Sequence, residues 1–539
     1  MIGPRKKVHP MLRIDGLRLR PGQESAAILP MAAAVLGIEP GEIGHLTIHR
    51  RSIDARGGEV SLLYSVRVSV KHERQILKRC RQKKQVSLYV PESYVPPAHF
   101  EGDRPVVIGA GPAGLFCALA LAGAGARPIL LERGQAVEER RRDVEAFWQG
   151  GAMDPSSNVQ FGEGGAGAFS DGKLNTGTRD IRHRYILETL VELGAPPEIL
   201  YDARPHVGTD RLFTVLQALR RRLLEMGAEI RFRHCVTGLR LEGGRLAGLT
   251  VEGPEGCYVL PAERAVLAVG HSARDTFGCL HRLGVAMEAK PFAVGVRIEH
   301  SQADISAAQY GRAAGELPPA SYKLSCHLPS GRGVFSFCVC PGGQVVAAAS
   351  EPGRLVTNGM SLLARNGPTI NGGLLVGVAP ADFGGAGPLA GIAFQRWLEE
   401  AAFALGGGNY RAPAQTVGDF LVNVPSTGPG AVLPTYRPGV TWTDLRRCLP
   451  DFVSVSLAEA LPLLEKRVKG FACPDAVLTA VESRSSAPVR ILRGADGQSV
   501  NTPGLYPCGE GAGYAGGIMS AAADGLRTAE LLCAASGGA

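Results

Sequence analysis

Apolar and polar positions alternate with period two at the start of the chain, then give way to near-continuous apolar runs separated by glycines. Residues 11–18 (MLRIDGLR) carry the alternation of a half-buried strand, and Glu24–Gly37 (ESAAILPMAAAVLG) reads as a helix. HLTIHRRSID and VSLLYSVRVSV follow as strands, and a basic helix is predicted around His72–Lys83. This order predicts a small α+β domain of the ferredoxin-like kind over residues 1–100. The proline-containing break Pro91–Pro105 ends it.

From Pro105 the pattern changes. PVVIGAGPAGLFCALALAGAGARPILLERG reads as an apolar strand, a glycine turn, an apolar helix and a second apolar strand. Such strands belong to a parallel sheet covered on both faces. Residues 209–233 predict another helix and strand, and His234–Gly253 a hairpin excursion with glycine turns. Beyond Pro291 the chain is strand-rich and irregular to about residue 445, and residues 505–533 return to strand, glycine turn and helix. The expected fold is α/β: a Rossmann-type, three-layer nucleotide-binding domain with an inserted β-rich substrate domain, behind the N-terminal α+β module. The expected boundaries are 1–100, 101–290, 291–445 and 446–539, reasonable for 539 residues because single cores rarely grow that large.

Composition changes this picture little, but charge does. Hydrophobic residues are 45% and charged residues 20%, ordinary for a globular protein. The net charge is +8, and residues 1–100 hold 17 Lys/Arg against 8 Asp/Glu, or +9, so the remainder is near neutral. Arg5-Lys6-Lys7 and KRCRQKK (Lys78–Lys84) are read as a solvated face, with a polyanion or an acidic partner as the sharper alternative. The longest apolar stretch, Leu115–Ala126, is too short to span a bilayer, and the basic N-terminus has no apolar segment behind it. Twelve scattered cysteines form no CxxC pair and no zinc-spaced set, so reduced thiols, no metal and a cytoplasmic location are expected.

The chemistry begins at Gly109-Ala110-Gly111-Pro112-Ala113-Gly114, a GxGxxG between an apolar strand and an Ala/Leu helix. The first glycine permits the turn, the second lets backbone approach a pyrophosphate, and the third lets helix and strand pack closely. Glu132 ends the second strand 18 residues past Gly114, where an acid accepts a ribose hydroxyl, and Arg133 follows it. Three further segments point to FAD rather than NAD. Residues Phe161–Lys173 contain the doublet Gly164-Gly165 and Ser170, which suit backbone lying against a large cofactor. An apolar strand precedes Gly270-His271-Ser272. A late strand ends in Gly509-Glu510, and the helix opening at Gly517-Ile518 is placed to aim its dipole at a flavin's pyrimidine edge.

In order along the chain, GAGPAG…LERG, NVQFGEGGAGAFSDGKLNTG, AVGHSARDTF, FSFCVCPGGQVV, GRLVTNGMS, ESRSSAPVRI and GLYPCGEGAGYAGGIMSAAADG resemble the FAD-dependent dehydrogenase family. That family is a branch of the glutathione-reductase-like NAD(P)/FAD-dependent oxidoreductases. The resemblance runs from about residue 100 to the C-terminus, and RRSIDAR at Arg50–Arg56 extends it to the N-terminal module. It implies bound FAD and dehydrogenase chemistry without naming a substrate. The superfamily's Gly-Asp beside the flavin corresponds here to Gly509-Glu510, which keeps the carboxylate and lengthens its reach by one methylene.

The candidate catalytic groups are Arg484, as a bidentate clamp for a substrate carboxylate, Cys338 beside Cys340, and Lys173 near flavin N5. Ser485, Arg490 and His271 are weaker candidates. A CxC on a strand also reads as two core side chains on one face, and a redox pair would be expected as CxxC at a helix start. The expected function is hydride transfer between a small organic substrate and flavin N5. No second GxGxxG unit is present, so a nicotinamide (NAD(P)H) reductant would bind transiently in the substrate cleft. A flavoprotein that binds nucleic acid through its basic module, or a flavin-bearing scaffold, is the alternative, and nucleic acid is the less expected partner. Membrane attachment is not expected, and the oligomeric state is left open.

Overall fold

The computed structural model describes residues 11–56, 59–385 and 387–536. The Arg5-Lys6-Lys7 cluster lies outside the described residues. The N-terminal domain runs β1 (Met11–Leu19), α1 (Ile28–Leu36), β2 (Ile43–Asp54), β3 (Ser61–Val70), α2 (Glu73–Arg79) and β4 (Val86–Tyr89). Its sheet has the order β2-β3-β1-β4 with every neighbouring pair antiparallel, the ferredoxin-like arrangement. The alternation in β1 buries Leu12, Ile14, Leu17 and Leu19 against Ile28, Ala32, Ala33 and Leu36 of α1. A register shift between Ile14 and Leu17, at left-handed Gly16, keeps Leu12 and Ile14 on the same buried side as Leu17 and Leu19.

β2 joins this domain to the next. The Arg51 N–H donates to the Tyr201 carbonyl at 2.8 Å, the Ala203 N–H donates to the Arg51 carbonyl at 2.8 Å, and the Arg51 guanidinium holds Asp202 bidentately at 2.7 and 2.9 Å.

The second domain is built on β5 (Val106–Ile108), α3 (Pro112–Gly123) and β6 (Ile129–Glu132). Its five-stranded parallel sheet places the strand Leu505–Pro507 beside Ala265–Leu267, then β5, β6 and Glu229–Phe232. The four strands other than Glu229–Phe232 are buried on both faces, which is why they are apolar apart from the terminal Glu132. The edge strand Glu229–Phe232 is half-buried and carries Glu229 and Arg231. Val107 and Leu130 face α3 and the C-terminal helix Ile518–Ser536, while Val106, Ile108 and Leu131 face a three-stranded antiparallel meander over residues 235–261. Helices, sheet and meander make the three layers.

The inserted domain is a seven-stranded sheet centred on Phe292–Ser301, which pairs antiparallel with Thr369–Val378 over ten residues. On its other side Phe292–Ser301 pairs with Val477–Glu482. That strand moves the expected boundary at residue 445: the helix Asp451–Glu465 and the strand Val477–Glu482 both pack in the core of the inserted domain. Their apolar patterns look the same in either domain, and only long-range pairing assigns them. Among the described residues no helix is long and apolar enough to cross a membrane.

Candidate functional site

The nucleotide-binding and inserted domains close around a cavity of about 520 Å³, the size of a small-molecule or cofactor site. The GxGxxG turn forms one wall. Gly109 has φ 103°, and a Cβ there would stand 2.4 Å from the Ala268 carbonyl oxygen. At Gly114 a Cβ would stand 1.9 Å from the Gly109 oxygen, so only glycine lets α3 start this close to β5. Gly111 is extended, and a Cβ on it would meet nothing closer than Gly165 Cα at 4.0 Å. Pro112 and Ala113 open α3, and no side chain caps that N-terminus, which leaves its first N–H groups free.

Glu132 is buried, and its carboxylate accepts from three backbone N–H groups: Ala110 at 2.8 Å, Gly134 at 2.9 Å and Gly162 at 3.0 Å. A carboxylate offers about four acceptor positions, so capacity for one hydroxyl remains. Arg133 lies over the Phe161 ring at 4.3 Å and donates to Asp275 at 3.0 Å. The loop after Gln160 returns along the turn: the Gly164 N–H donates to the Ala110 carbonyl at 2.7 Å, and a Cβ on Gly165 would stand 3.1 Å from Gly111 Cα. Arg140 holds this loop. Fully buried on α4 (Val137–Trp148), it donates to the carbonyls of Asn158, Val159, Gly162 and Glu163. Nothing in the sequence marks Arg140, because its targets are main-chain oxygens. Ser170 turns toward backbone, donating to the Gly167 carbonyl and accepting from the Gly172 N–H.

Gly270 and Gly517 line the same cavity with left-handed backbone and open space where a Cβ would be. His271 Nδ1 lies 3.4 Å from Glu510, while its buried Nε2 has no partner. The Gly509 N–H donates to Asp524 at 2.8 Å, and Arg493 holds that carboxylate in turn. Asp524 and Arg493 are a second pair that pattern reading misses. The helix Ile518–Ser536 begins at the cavity, which Ile518 and the preceding Gly517 line. A glycine cradle, an uncapped helix N-terminus and an orphaned imidazole nitrogen fit a flavin dinucleotide.

The inserted domain supplies the far wall. Asp171 is buried and held by Arg365, Ser361 and, at 3.6 Å, Lys173. Burial opposes its charge, but Lys173 and Arg365 hold its carboxyl below the ordinary value. Lys173 also reaches the Val339 carbonyl. Cys338 has φ 40° at a register break in the strand Gly333–Cys340; both cysteines line the cavity, Cys338 exposed there and Cys340 buried beside Arg297. The bulge breaks the regular strand on which the CxC reading rests. Both thiols are free, and enclosure by protein pushes that of Cys338 up to about 12.

Arg484 lines the cavity, but its guanidinium is committed: Nε and Nη2 donate to Glu399 at 3.0 and 2.9 Å, and Nη1 donates to Ser272 and Ser350. The bidentate grip expected for a substrate is spent on Glu399, which Arg274 shares. Ser485 bonds both ways with the Ala293 backbone, and Arg490 pairs with Glu288 at 3.3 Å.

Residues 291–485 match the family described as FAD-dependent protein, C-terminal domain-like; residues 104–186 match the FAD binding domain; and residues 11–69 match a domain of unknown function. An uncharacterized protein of Clostridium beijerinckii is 45% identical over 526 residues, 96% of this chain and 98% of that one. A 12-dehydrotetracycline 5-monooxygenase/anhydrotetracycline 6-monooxygenase of Streptomyces rimosus is 32% identical over 161 residues, 28% of each chain. Among solved structures, a flavin-dependent brominase aligns at 14% identity and TM-score 0.37 over 82% of this chain and 80% of its own. A geranylgeranyl bacteriochlorophyll reductase-like protein of Thermoplasma acidophilum aligns at 11% identity and TM-score 0.37 over 80% and 78%.

Proposed function

The chain belongs to the family of FAD-dependent proteins that includes the Clostridium beijerinckii relative, and on that footing we propose that it is a dehydrogenase or reductase of a small organic substrate. Bound FAD supplies the two-electron chemistry, a hydride exchanged between substrate and flavin N5. The observation that supports this reading is a single cavity lined by the dinucleotide cradle on one side and by polar groups of the inserted domain on the other.

In this reading the turn Gly109–Gly114 and the N-terminus of α3 receive the pyrophosphate. Glu132 accepts a ribose hydroxyl beside the three N–H groups it already holds, and Arg133 borders the adenosine. Gly164, Gly165 and Ser170 shape the loop over the phosphates. Gly270, Gly509 and Glu510 border the ribityl chain, with His271 Nε2 as a donor to it. Gly517 and Ile518 direct a helix dipole toward the pyrimidine edge. Lys173 and Cys338 face the substrate, while Arg484 positions Ser272 and Ser350 and does not itself bind substrate. Placement in the glutathione-reductase-like branch, a cytoplasmic location and transient use of NAD(P)H are parts of the same proposal.

Anaerobic titration of the purified flavoprotein with a metabolite library and with NADH and NADPH tests it. Bleaching of the flavin's visible band by at least one of them is expected. A flavin that stays oxidised with every donor, artificial ones included, sinks the enzyme reading. A second reading, nucleic-acid binding, has one observation in its favour: seven exposed Lys and Arg side chains between Lys71 and Lys84, none of them in an ion pair among the described residues.

A further inference from the structure

The charged groups that line the cavity fall into two sets. Near the GxGxxG turn stand the acids Glu132 and Glu510, Arg133 pairs with Asp275, and Arg484 is absorbed by Glu399. On the side of the inserted domain stand Lys173, Arg204, Lys323 and Arg365 with the acids Asp171 and Glu482. Buried Arg297 neutralises Glu482 at 2.9 Å. Asp171 is then one carboxylate shared between Arg365 and Lys173. Arg204 and Lys323 have no carboxylate at ion-pair distance among the described residues, and Arg204 Nη1 reaches only the Ser321 backbone carbonyl, at 3.2 Å. Four cations against Asp171 leave a surplus of three positive charges at this end.

The surplus is placed to meet a ligand other than the cofactor's phosphates. Gly165 abuts Gly111 at the pyrophosphate turn, and eight residues later Lys173 abuts Val339 of the inserted sheet. That stretch of chain, a 3-10 turn over Gly165–Phe169 and the residues after it, leads from the phosphate cradle to the opposite wall. Lys323 belongs to the inserted domain, and burial alternates across Ser321, Tyr322 and Lys323, so residues 321 and 323 lie on one side of an extended segment. Arg204, which bonds residue 321, is thereby brought to the side from which Lys323 projects. Tyr322 itself is 4% exposed, and its buried hydroxyl has no hydrogen-bond partner. Asn358 adds a neutral donor to the same wall, while the Ser336 hydroxyl is bonded both ways with the Leu324 backbone.

We propose that the substrate is an organic anion, a small molecule with a carboxylate or phosphate group, whose charged end is held by Arg204 and Lys323. The inference rests on the proposed function, in that the uncharged part of the molecule then lies toward Lys173 and the flavin. An unpaired guanidinium and ammonium in a partly enclosed cleft bind an oxyanion by charge-assisted hydrogen bonds. A neutral isostere loses that attraction and leaves the cations to water.

The test uses the full-length, FAD-loaded protein. Benzoate, benzamide and inorganic phosphate are titrated separately, followed by the difference spectrum of the flavin and by calorimetry, which reads binding without turnover. Benzoate or phosphate is expected to bind at least tenfold tighter than benzamide. Displacement of benzoate by phosphate assigns the site to phosphate-bearing substrates, and failure of displacement assigns it to carboxylates. The double substitution Arg204→Ala, Lys323→Ala is expected to weaken the preferred anion at least tenfold with FAD content and melting temperature unchanged. Lys323→Glu alone is expected to abolish the preference for benzoate over benzamide. Equal binding of benzoate and benzamide with no binding of phosphate overturns the proposal, as does wild-type anion affinity in the double variant. Flavin reduction in the same preparation separates the two failures: a reducible flavin without anion preference removes only the anion site, and an irreducible flavin removes the reading beneath it.

Discussion

Glu299 shows at single-residue scale what this fold does to an acid. It lies wholly inside the inserted domain on the strand Phe292–Ser301, with Oε1 accepting from the N–H and hydroxyl of Thr435 and Oε2 unpartnered. Burial raises its carboxyl to about 7, and the two Thr435 bonds only partly oppose this. The sign of the pH dependence follows. Below pH 4.5 the folded and unfolded states both hold the proton, and nothing is lost. As pH rises from 4.5 to about 7 the unfolded chain releases the proton while the folded one keeps it, so stability falls across that window and is level above it. A shift of this size corresponds to roughly 3 kcal/mol. Glu299→Gln, which cannot ionise, is expected to gain on the wild type by that order between pH 4.5 and 7.5 in denaturant titrations. Parallel stability curves for the two proteins would remove the argument.

Residues that act through glycine geometry or a terminal carboxylate were legible in the sequence. Gly109, Gly114 and Glu132 do their work within one strand–turn–helix–strand unit, where spacing predicts position. Arg140, Asp524 and Arg493 were not, because each acts on backbone or on another side chain brought near by the fold. Arg484 misled for the same reason: its partner Glu399 sits on the helix Ala390–Leu405, far away in sequence.

At the scale of elements, the strand Gly333–Cys340 carries the clearest departure from pattern. Period-two reasoning puts Cys338 and Cys340 on one face, but residue 338 takes φ 40° and the pairing with Thr369–Val378 skips between Phe337 and Cys340. Bulges re-aim side chains next to binding sites, and this one lies where the strand lines the cavity. A thiol held at about 12 is almost wholly protonated near neutrality, and the thiolate is the nucleophile. Alkylation of Cys338 by iodoacetamide at pH 8 is therefore expected to run two to three orders of magnitude slower than that of a free cysteine. Mass spectrometry under non-reducing conditions should find no 338–340 disulfide, and Cys338→Ser should keep flavin reduction. Rapid alkylation that abolishes reduction would restore Cys338 as a nucleophile. Element order and type were otherwise readable, since period two marks the N-terminal sheet and apolar runs mark the parallel one. The boundary at residue 445 was not readable, because Val477–Glu482 is assigned only by its partner across the sheet.

At the scale of the whole molecule, the question is what the N-terminal domain contributes. It is fixed to the nucleotide-binding domain through the edge of β2, by two backbone hydrogen bonds and the Arg51–Asp202 pair. Its positive charge is concentrated elsewhere: Lys71, Arg74, Lys78, Arg79, Arg81, Lys83 and Lys84 are exposed, with only Glu73 among them. The alternation of the sheet foretold the domain, but neither the docking edge nor the separation of that edge from the charge was visible before the chain was folded.

Seven cations in fourteen residues have the density of a phosphate-binding surface, so the argument turns on what else such a surface requires. Specific readers of single-stranded RNA add aromatic rings on which bases stack. In β4 the one aromatic, Tyr89, is already covered by Arg67 at 5.3 Å and packed against His49. The basic stretch has no Phe, Tyr or Trp, and its one ring is the imidazole of His72. Without stacking, any binding would be backbone-only, and with six to ten phosphate contacts on a single strand it would lose roughly 300-fold to 10⁴-fold in affinity between 50 and 200 mM salt. We therefore expect filter binding of the full chain to a single-stranded RNA to give weak retention at 50 mM salt and none at 200 mM. Saturable retention that survives 200 mM salt would mean that the domain supplies base contacts after all, and would move the protein from a small-molecule oxidoreductase toward one that works on nucleic acid.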